Sequence, residues 1–310
     1  MTKTVLLTGG SGFIGSHIVD SLLEKGCRVR VYARKHERFR SPNPMVDYRL
    51  GEFTDLSSLS EALVDVDIVY HLLSSTVPAT AAASPIYDVE SNLIGALRLI
   101  ALMKTMDVRR LVFFSSGGTV YGVPEELPIK ELHPTRPINS YGIVKVAIEH
   151  YLLAAARSGE LSPLILRLSN PYGPRQGHGG VQGVINTFLS RISRGMPIEV
   201  WGDGSVVRDY IYVSDVASLC QRIVDTDVTG IFNVGSGYGV SISEILEIVR
   251  EVTGDLAQVT YKPGRVLDVD QNFLDIAAIK KEFGWEPTYD LRRGIEETWE
   301  WISATSQDVI

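Results

Sequence analysis

Short apolar runs alternate with amphipathic stretches through the first half of the chain. The run TVLL precedes a predicted helix from Phe13 to about Lys25, and RVRVYA follows that helix. Predicted helices near Asp88 to Met106 and Tyr141 to Arg157 lead in the same way to RLVFFSS and LILRLS. Strands that alternate with helices at this spacing are typical of βαβ units. The pattern therefore predicts an α/β fold with a doubly wound parallel sheet covered by helices on both faces.

The second half of the chain loses this rhythm. Its apolar runs are shorter, and Gly and Pro interrupt them in GMPIEVWGDG, VGSGYG and YKPGR. We expect a smaller mixed α/β lobe over the carboxyl ends of the strands, where open α/β sheets bind ligands. The predicted division places residues 1–168 in the larger domain and 169–310 mainly in the C-terminal lobe, with part of 205–235 returning to the larger domain.

Composition and charge limit the classes of protein to which the chain can belong. The 310 residues are 45% hydrophobic and 22% charged, which is ordinary for a globular protein. The net charge of −7 argues against non-specific nucleic-acid binding, which needs a basic face. Cys27 and Cys220 form neither a metal spacing nor a disulfide framework, so no metal is expected. We find no signal peptide and no apolar run of roughly 18 residues, so we expect a cytoplasmic protein without membrane contact.

Two of the predicted helices are apolar around much of their circumference. They contain the segments NLIGALRLIALMKTM, within 88–106, and IVKVAIEHYLLAAA, within 141–157. Such helices are either deeply buried inside one chain or paired with a second copy as a helix bundle. Both interpretations remain open, and the second predicts a homodimer.

The segment TGGSGFIG places Gly9, Gly12 and Gly15 directly between the first predicted strand and the first predicted helix. The first glycine permits a tight turn, the second lets the backbone approach a pyrophosphate, and the third lets helix and strand pack closely. The N-terminus of the following helix offers free N–H groups to the phosphates. A glycine triplet alone can be only a turn, but after the first strand of a βαβ unit it predicts a dinucleotide site.

The segment NSYGIVK contains Tyr141 and Lys145 at the start of a long predicted helix. A spacing of four residues places the phenol and the ammonium group on one face of that helix. One interpretation is a surface contact without function. The other is that Lys145, with the positive charge of a bound nicotinamide, lowers the pKa of Tyr141, so that the phenol exchanges a proton with a substrate hydroxyl near neutral pH.

A set of motifs occurs in an order and at distances that together carry a resemblance. The motifs are TGGSGFIG, YHLLSS, NLIGALRLI, FFSSGGTVYG, SYGIVK, RLSNPYGPRQ, GDGSVVRDYIYVSDVA and FGWEP. From Lys3 to about Trp301 the chain resembles the extended short-chain dehydrogenase/reductase family, and in particular its sugar-nucleotide epimerase branch, typified by UDP-glucose 4-epimerase. The resemblance implies a Rossmann-type dinucleotide-binding domain, an NAD cofactor and a nucleotide-diphosphate sugar as substrate.

The resemblance also implies a reaction. Tyr141 takes a proton from a sugar hydroxyl while the hydride of that carbon passes to the nicotinamide, and the keto-sugar then rotates and receives the hydride on its other face. Lys145 additionally holds the nicotinamide ribose. The implied cofactor-binding residues are Gly9, Gly12, Phe13, Ile14, Gly15, Arg34, Lys35, Asp55, Leu56, Leu72, Asn92, Ser115, Tyr141 and Lys145.

On the substrate side, the resemblance implies that Asn170 contacts the nucleotide diphosphate and that Arg208 and Arg265 clamp its two phosphates. For both arginines the alternative is a solvated surface charge. Asp268 is expected at the uridine ribose, and the segment Glu199 to Gly202 along the base. The implied substrate-binding residues are Thr119, Asn170, Trp201, Arg208, Arg265, Asp268 and Asn272.

The catalytic hydroxyl of the family is missing from its usual position. The family has Ser or Thr four residues before the tyrosine of VYG, and that position is Gly117 in this chain. Thr119 lies two residues later, so on an extended backbone its side chain projects to the same side as Gly117. We therefore predict Thr119 as the replacing hydroxyl and Ser116 as the second choice, with low reactivity as the alternative outcome.

A second departure concerns the size of the sugar. UDP-glucose epimerases that exclude N-acetylated sugars have a tyrosine seven residues after the phosphate-clamping arginine, and that position is Asn272 in this chain. A smaller polar side chain leaves room for an N-acetyl group or another bulky substituent at C2. The alternative is that the loop takes a different course and Asn272 faces water.

A third departure concerns the choice between NAD and NADP. An acidic residue about 20 residues after the glycine motif normally binds the adenosine ribose and selects NAD, but Ala33, Arg34 and Lys35 stand there in this chain. No carboxylate repels a 2′-phosphate, so NADP is not excluded. The alternative is that both cations are solvated loop charges, and the epimerase-like motifs elsewhere favour NAD.

Three functions compete at this stage. The first is a nucleotide-sugar 4-epimerase acting on a UDP-hexose or UDP-N-acetylhexosamine. The second is an NADPH-dependent reductase of a nucleotide 4-keto-sugar; a dehydratase fits less well, because Gly118 and Thr119 replace the acidic pair of family dehydratases. The third is a non-catalytic dinucleotide-binding sensor, against which Tyr141 and Lys145 argue although the fold alone does not exclude it.

Overall fold

The structure, a computed structural model, describes residues 2–177, 183–254, 257–264 and 269–305. Its strands are β1 (Thr4–Thr8), β2 (Arg28–Ala33), β3 (Val46–Leu50), β4 (Ile68–His71), β5 (Arg110–Ser116), β6 (Ser162–Leu168), β7 (Asn170–Tyr172), β8 (Ile198–Trp201), β9 (Val207–Arg208), β10 (Tyr210–Tyr212), β11 (Gly230–Val234), β12 (Val240–Ser241), β13 (Val259–Lys262) and β14 (Gln271–Asn272). Its α-helices are α1 (Phe13–Glu24), α2 (Leu56–Ala62), α3 (Pro78–Ala83), α4 (Pro85–Asp88), α5 (Gly95–Thr105), α6 (Ser140–Arg157), α7 (Val184–Ser193), α8 (Val213–Ile223), α9 (Ile242–Thr253), α10 (Ala277–Phe283) and α11 (Leu291–Thr305).

A seven-stranded sheet dominates the first half of the molecule. Its strand order is β11-β6-β5-β4-β1-β2-β3, and every pair is parallel. Every residue of β1 and of β4 is buried. Because helices cover both faces, these central strands are apolar without interruption. The predicted doubly wound, Rossmann-type sheet is confirmed.

Alternate residues of β1 enter different cores. Val5 and Leu7 pack with Ile18 of α1 and Leu219 of α8, on one face of the sheet. Leu6 points to the other face, where α2, α5 and α6 form a second core. Since successive side chains of a strand point to opposite faces, one strand supplies both cores and aligns the helices around the edge that carries the site.

The second half of the chain builds a smaller group of elements around its own core. Small sheets of order β10-β7, β12-β9-β14 and β13-β8 pack with α7, α9 and α11. The last strand of the large sheet also comes from this half, since β11 pairs with β6. Within the described ranges, no helix combines the length and the apolar character needed to cross a bilayer.

The helix expected near 88–106 is interrupted. The chain forms α4, then a π-helical segment at Val89–Ile94, and then α5. A π-helical turn accommodates one extra residue and is frequent at functional sites. Asn92 lies in this segment, and its side chain reaches the backbone N–H of Ser75 at 2.8 Å. The periodicity of the sequence shows the helical character of the segment but not this change of pitch.

Candidate active site

The glycine turn joins β1 to α1 in a form that fits a pyrophosphate. Gly9 has a φ of +84°, and its carbonyl accepts a hydrogen bond from the Gly12 N–H at 3.0 Å. A Cβ atom on Gly15 would collide with the Gly9 carbonyl oxygen and lie 2.7 Å from the Cα of Gly10. Gly12 caps α1 without a side-chain hydrogen bond, so the first N–H groups, from Phe13 and Ile14 onward, are open to an anion.

Three other predicted cofactor contacts lie in the segments that follow β3 and β4. Leu72 follows β4, and its N–H donates to the carbonyl of Thr8 at 3.0 Å, which holds it beside the glycine turn. Asp55 caps α2 by accepting hydrogen bonds from the N–H groups of Ser57 and Ser58. The Asp55 carboxylate is therefore engaged locally, and Leu56 begins α2 with a largely exposed side chain.

The charged side chains of the segment after β2 differ in their exposure to solvent. Arg34 and Lys35 are exposed, and they have no ionic partner in the described part of the chain. Glu37 instead is buried, where it is paired with Arg40 and accepts a hydrogen bond from the Tyr48 hydroxyl at 3.2 Å. The acidic residue of this segment is thus enclosed, and its charge is compensated. Sequence reasoning missed Glu37 because pairing with Arg40 gives no periodic signal.

The predicted Tyr–Lys pair forms at the start of α6. Asn139 caps this helix by accepting the N–H of Gly142 at 2.9 Å. The Lys145 ammonium lies 5.5 Å from the ring centre of Tyr141 and donates to the carbonyl of Phe114 at 2.8 Å. Burial lowers the pKa of Lys145 to about 8, and nearby carboxylates only partly offset this effect. The two groups therefore lie together above the carboxyl end of β5.

The protein alone does not lower the pKa of Tyr141. Burial raises this pKa to about 12, a hydrogen bond with Ser74 opposes the rise, and the charge of Asp88 adds to it. Sequence reasoning expected the opposite direction from Lys145 together with the nicotinamide. Within the chain, desolvation is the largest influence on this pKa, so the expected lowering would have to come from the positive charge of the cofactor.

Asn92 is held by a buried carboxylate that sequence reasoning missed. The Asn92 amide donates to Thr76 and to Asp88, each at 2.8 Å. Asp88 is fully buried, and its second oxygen accepts a hydrogen bond from the Ser140 hydroxyl at 2.7 Å, one residue before Tyr141. The spacing of four residues between Asp88 and Asn92, which places both on one face of a helix, was the signal that could have found it.

A second buried network lies behind the lysine. The Glu149 carboxylate pairs with Arg167 at 2.7 Å, and the exposed fractions of the two side chains are only 3% and 5%. The Ser115 hydroxyl donates to Glu149 at 2.5 Å, and the Tyr121 hydroxyl accepts a hydrogen bond from Arg167 at 3.0 Å. The Ser115 side chain is therefore engaged with Glu149, and only its backbone remains for the predicted cofactor contact.

The space that a side chain at position 117 would need is occupied by Leu274. A Cβ atom on Gly117 would lie 2.6 Å from Cδ1 of Leu274. Both replacing hydroxyls lack a hydrogen-bond partner in the described ranges, and that of Thr119 is buried. The Ser116 hydroxyl and the Asn170 amide oxygen lie 4.0 Å and 3.9 Å from the Cβ position of Gly118, so both flank this glycine. The predicted Thr119 and the second choice Ser116 both stay candidates for the replacing hydroxyl.

The other predicted substrate residues lie on the small sheets. Arg208 of β9 pairs in register with Asn272 of β14. The Asn272 side chain is 1% exposed, so the interpretation that it faces water is wrong. Its amide nitrogen donates to the Gly117 carbonyl at 3.3 Å, while its oxygen has no partner among the described residues. Trp201 is half exposed at the end of β8, and Arg265 and Asp268 lie outside the described residues.

Comparison with known proteins places the chain in a family. The model of the NAD dependent epimerase/dehydratase family matches residues 5–235. The chain belongs to this family. The predicted resemblance to extended short-chain dehydrogenases/reductases of the sugar-nucleotide epimerase branch is thereby confirmed.

Solved structures resemble this chain over almost its whole length. UDP-glucose 4-epimerase of Thermotoga maritima with UDP-glucose is 34% identical, with a TM-score of 0.93 over 98% of this chain and 99% of that chain. UDP-glucose 4-epimerase of Thermus thermophilus in complex with NAD is 34% identical, with a TM-score of 0.91 over 99% and 100%. UDP-N-acetylglucosamine 4-epimerase of Methanobrevibacter ruminantium, in complex with UDP-N-acetylmuramic acid, is 29% identical, with a TM-score of 0.92 over 98% and 99%.

Proposed function

We propose that the chain is a UDP-sugar 4-epimerase that works with bound NAD. The observation that carries this proposal is the pair of Tyr141 and the buried Lys145 above the end of β5. It lies on the same edge of the parallel sheet as the glycine turn after β1. A protein that only senses a dinucleotide does not require a phenol beside a buried ammonium group there, so the pair argues against that function.

The residues of this edge fit the cofactor and divide the work of the reaction. The glycine turn and the first N–H groups of α1 would hold the pyrophosphate, and Lys145 the nicotinamide ribose. The bound nicotinamide supplies a reversible acceptor for hydride. Tyr141 would accept the proton of the sugar hydroxyl and return it, and the charge of Lys145 would stabilise the phenolate. Thr119 would orient the sugar oxygen, with Ser116 as the second choice.

The sugar is proposed to be an N-acetylhexosamine or a hexose. The buried amide oxygen of Asn272 has no partner within the described ranges and can accept a hydrogen bond from a substrate N–H or hydroxyl, so it fits either sugar. The similarity to a UDP-N-acetylglucosamine 4-epimerase supports the former, and the similarity to UDP-glucose 4-epimerases supports the latter. Asn170, Arg208 and Arg265 would bind the diphosphate, with Asp268 at the ribose and Trp201 at the base.

The reductase remains the second candidate because of the segment after β2. Arg34 and Lys35 are exposed cations, and Glu37 is neutralised by Arg40 and does not oppose a 2′-phosphate. This arrangement favours NADP more than an acidic residue at the end of β2 would. The similarity to an epimerase solved with NAD favours NAD, and we propose NAD as the resident cofactor.

A homodimer is the proposed assembly. The inner faces of α5 and α6 are buried against the sheet, whereas apolar side chains remain exposed on the outer side of the 88–106 and 141–157 segments and just before them. The exposed side chains are Ile86, Tyr87, Val89, Ile94, Ile143 and Tyr151. Adjacent apolar surface on two helices is suited to an isologous interface between two copies.

The first experiment identifies the cofactor. The protein is purified without added nucleotide and denatured, and the released dinucleotide is identified by mass. Retained NAD supports a redox-neutral epimerase, after which UDP-sugars are screened, beginning with the N-acetylated pair. Recovery of NADP(H), or an empty protein that binds NADPH better than NADH, would instead favour the reductase.

The second experiment tests the role of Tyr141 in the reaction. Tyr141→Phe should abolish turnover, because the proton acceptor is removed, but it should leave the binding of NAD and UDP unchanged. Turnover is followed by separation of the two sugar epimers and binding by titration calorimetry. Surviving turnover in this variant would refute the mechanism.

A further inference from the structure

Asp209 occupies the junction between two small sheets of the C-terminal half. It separates β9 from β10 and is fully buried. One carboxylate oxygen accepts hydrogen bonds from the Ser236 N–H at 2.7 Å and the Ser236 hydroxyl at 2.8 Å. The other oxygen accepts from the N–H of Leu274 at 3.2 Å and of Gly237 at 3.4 Å. One side chain thus joins the turn after β11 to the segment after β14.

The backbone of Asp209 holds two of the predicted substrate residues. Its carbonyl accepts both the backbone N–H of Asn170 at 3.0 Å and the Asn170 amide at 2.8 Å. Its N–H donates to the carbonyl of Asn272 at 3.1 Å. The neighbour in the chain is Arg208. Three side chains that are proposed to face the substrate are therefore fixed relative to one another through one residue.

The surroundings of Asp209 are built for a carboxylate of this size. A Cβ atom on Gly235 would collide with one carboxylate oxygen and lie 2.8 Å from Cγ of Asp209. Burial raises the pKa of Asp209, and the hydrogen bonds from Ser236 and Leu274 oppose that rise. Burying a carboxylate is costly unless donors surround it, and the donors here come from two separate chain segments.

We propose that Asp209 is a positioning residue for the nucleotide-diphosphate end of the substrate, which sets Arg208 and Asn170 in one geometry and anchors the backbone of Asn272 beside them. This inference rests on the proposed function. Asp209 itself is fully buried, and its carboxylate is engaged by Ser236 and Leu274. Its effect is expected on the binding of the nucleotide, and not on the hydride and proton transfers at the sugar.

Asp215 provides a matched control. It is also a buried carboxylate of the same half of the chain, with 2% exposure. It accepts hydrogen bonds from the N–H and the hydroxyl of Thr288, at 2.9 Å and 2.8 Å, and from the N–H of Tyr289 at 3.1 Å. These contacts join α8 to the segment before α11 and include none of the proposed substrate residues. Loss of either carboxylate should reduce stability, but only one loss should affect nucleotide binding.

The experiment compares Asp209→Asn and Gly235→Ala with Asp215→Asn. The first places an NH₂ group against backbone N–H donors, and the second displaces the Asp209 carboxylate without removing its charge. Both should weaken UDP binding roughly ten- to hundredfold in calorimetry, the size of effect that losing a charged hydrogen bond produces. KM for the UDP-sugar should rise with kcat little changed, and the retained dinucleotide should be unaffected.

Asp215→Asn should lower the thermal midpoint of unfolding but leave the Kd for UDP within about twofold of the wild-type value. We expect this because the contacts of Asp215 include none of the predicted substrate residues. Equal loss of UDP affinity in Asp215→Asn, or unchanged affinity in both Asp209→Asn and Gly235→Ala, would overturn the inference. Failure of the wild-type protein to bind UDP would instead overturn the proposed function, so the two failures are distinguishable.

Discussion

His71 is expected to make the stability of this protein fall in mild acid. It ends β4, is 3% exposed, and lies between the rings of Phe53 and Phe113 at centroid distances of 5.6 Å and 5.8 Å. The Thr8 hydroxyl is 2.6 Å from its Nδ1 atom. Burial lowers the pKa of His71 to about 3, and the positive charge of Lys145 acts in the same direction.

The sign of the effect follows from the two states. In the unfolded chain the pKa of His71 is 6.5, whereas in the folded protein it is about 3. Between these values only the unfolded state binds the proton, so acidification stabilises the unfolded state. The contribution is fully present above pH 6.5. One pH unit corresponds to about 1.4 kcal/mol, so roughly 2 kcal/mol of unfolding free energy should be lost between pH 6.5 and pH 5.

Urea unfolding at pH 7.5 and pH 5.0 measures this loss. The wild type is compared with His71→Gln, which keeps a partner for Thr8 but does not titrate, and with His150→Gln at an exposed position of α6. The wild type and His150→Gln should lose about 2 kcal/mol more than His71→Gln between the two pH values. Other titrating groups contribute equally to all three proteins. An equal loss in all three would refute the reasoning.

Two further predictions concern buried charge and the glycine turn. Arg167→Met should lower the free energy of unfolding in urea by about 3–5 kcal/mol, because it leaves the Glu149 carboxylate buried without its cation. The control Arg136→Met, at an exposed ion pair, should lower it by at most about 1 kcal/mol. Equal losses in the two variants would contradict this prediction. Gly15→Ala should abolish retention of the dinucleotide, because the added Cβ atom would collide with the backbone of the turn. The control Gly177→Ala adds a Cβ atom with no other atom within 4 Å and should retain the dinucleotide. Mass analysis of the nucleotide released on denaturation distinguishes the two outcomes.

The sequence predicted those features whose signal is local. Helix α6 and the parallel strands followed from the spacing of apolar positions, because a buried face repeats with the period of its element. The glycine turn followed from residues that are adjacent in the chain. The buried acids Glu37, Asp88 and Asp209 were missed as structural elements, because each has a partner that only the fold brings near: Tyr48, Ser140 and Leu274, respectively. A charge in the sequence is usually solvated, and only the fold shows which charges have been enclosed.

Gly117 and Asn272, the two departures from the family pattern on the substrate side, are in contact with each other. The Asn272 amide donates to the carbonyl of Gly117, and Leu274, two residues later on the same segment, fills the space that a Gly117 side chain would need. A serine at position 117 would therefore overlap Leu274, so the hydroxyl could not return without a change in the facing segment. Sequence reasoning treated positions 117 and 272 as independent, one reducing catalysis and the other enlarging the sugar pocket. Their contact couples the two positions, because a change at either one alters the space available to the other. We therefore expect the hydroxyl that orients the sugar to come from a residue beside Gly117, for which Ser116 and Thr119 are the candidates.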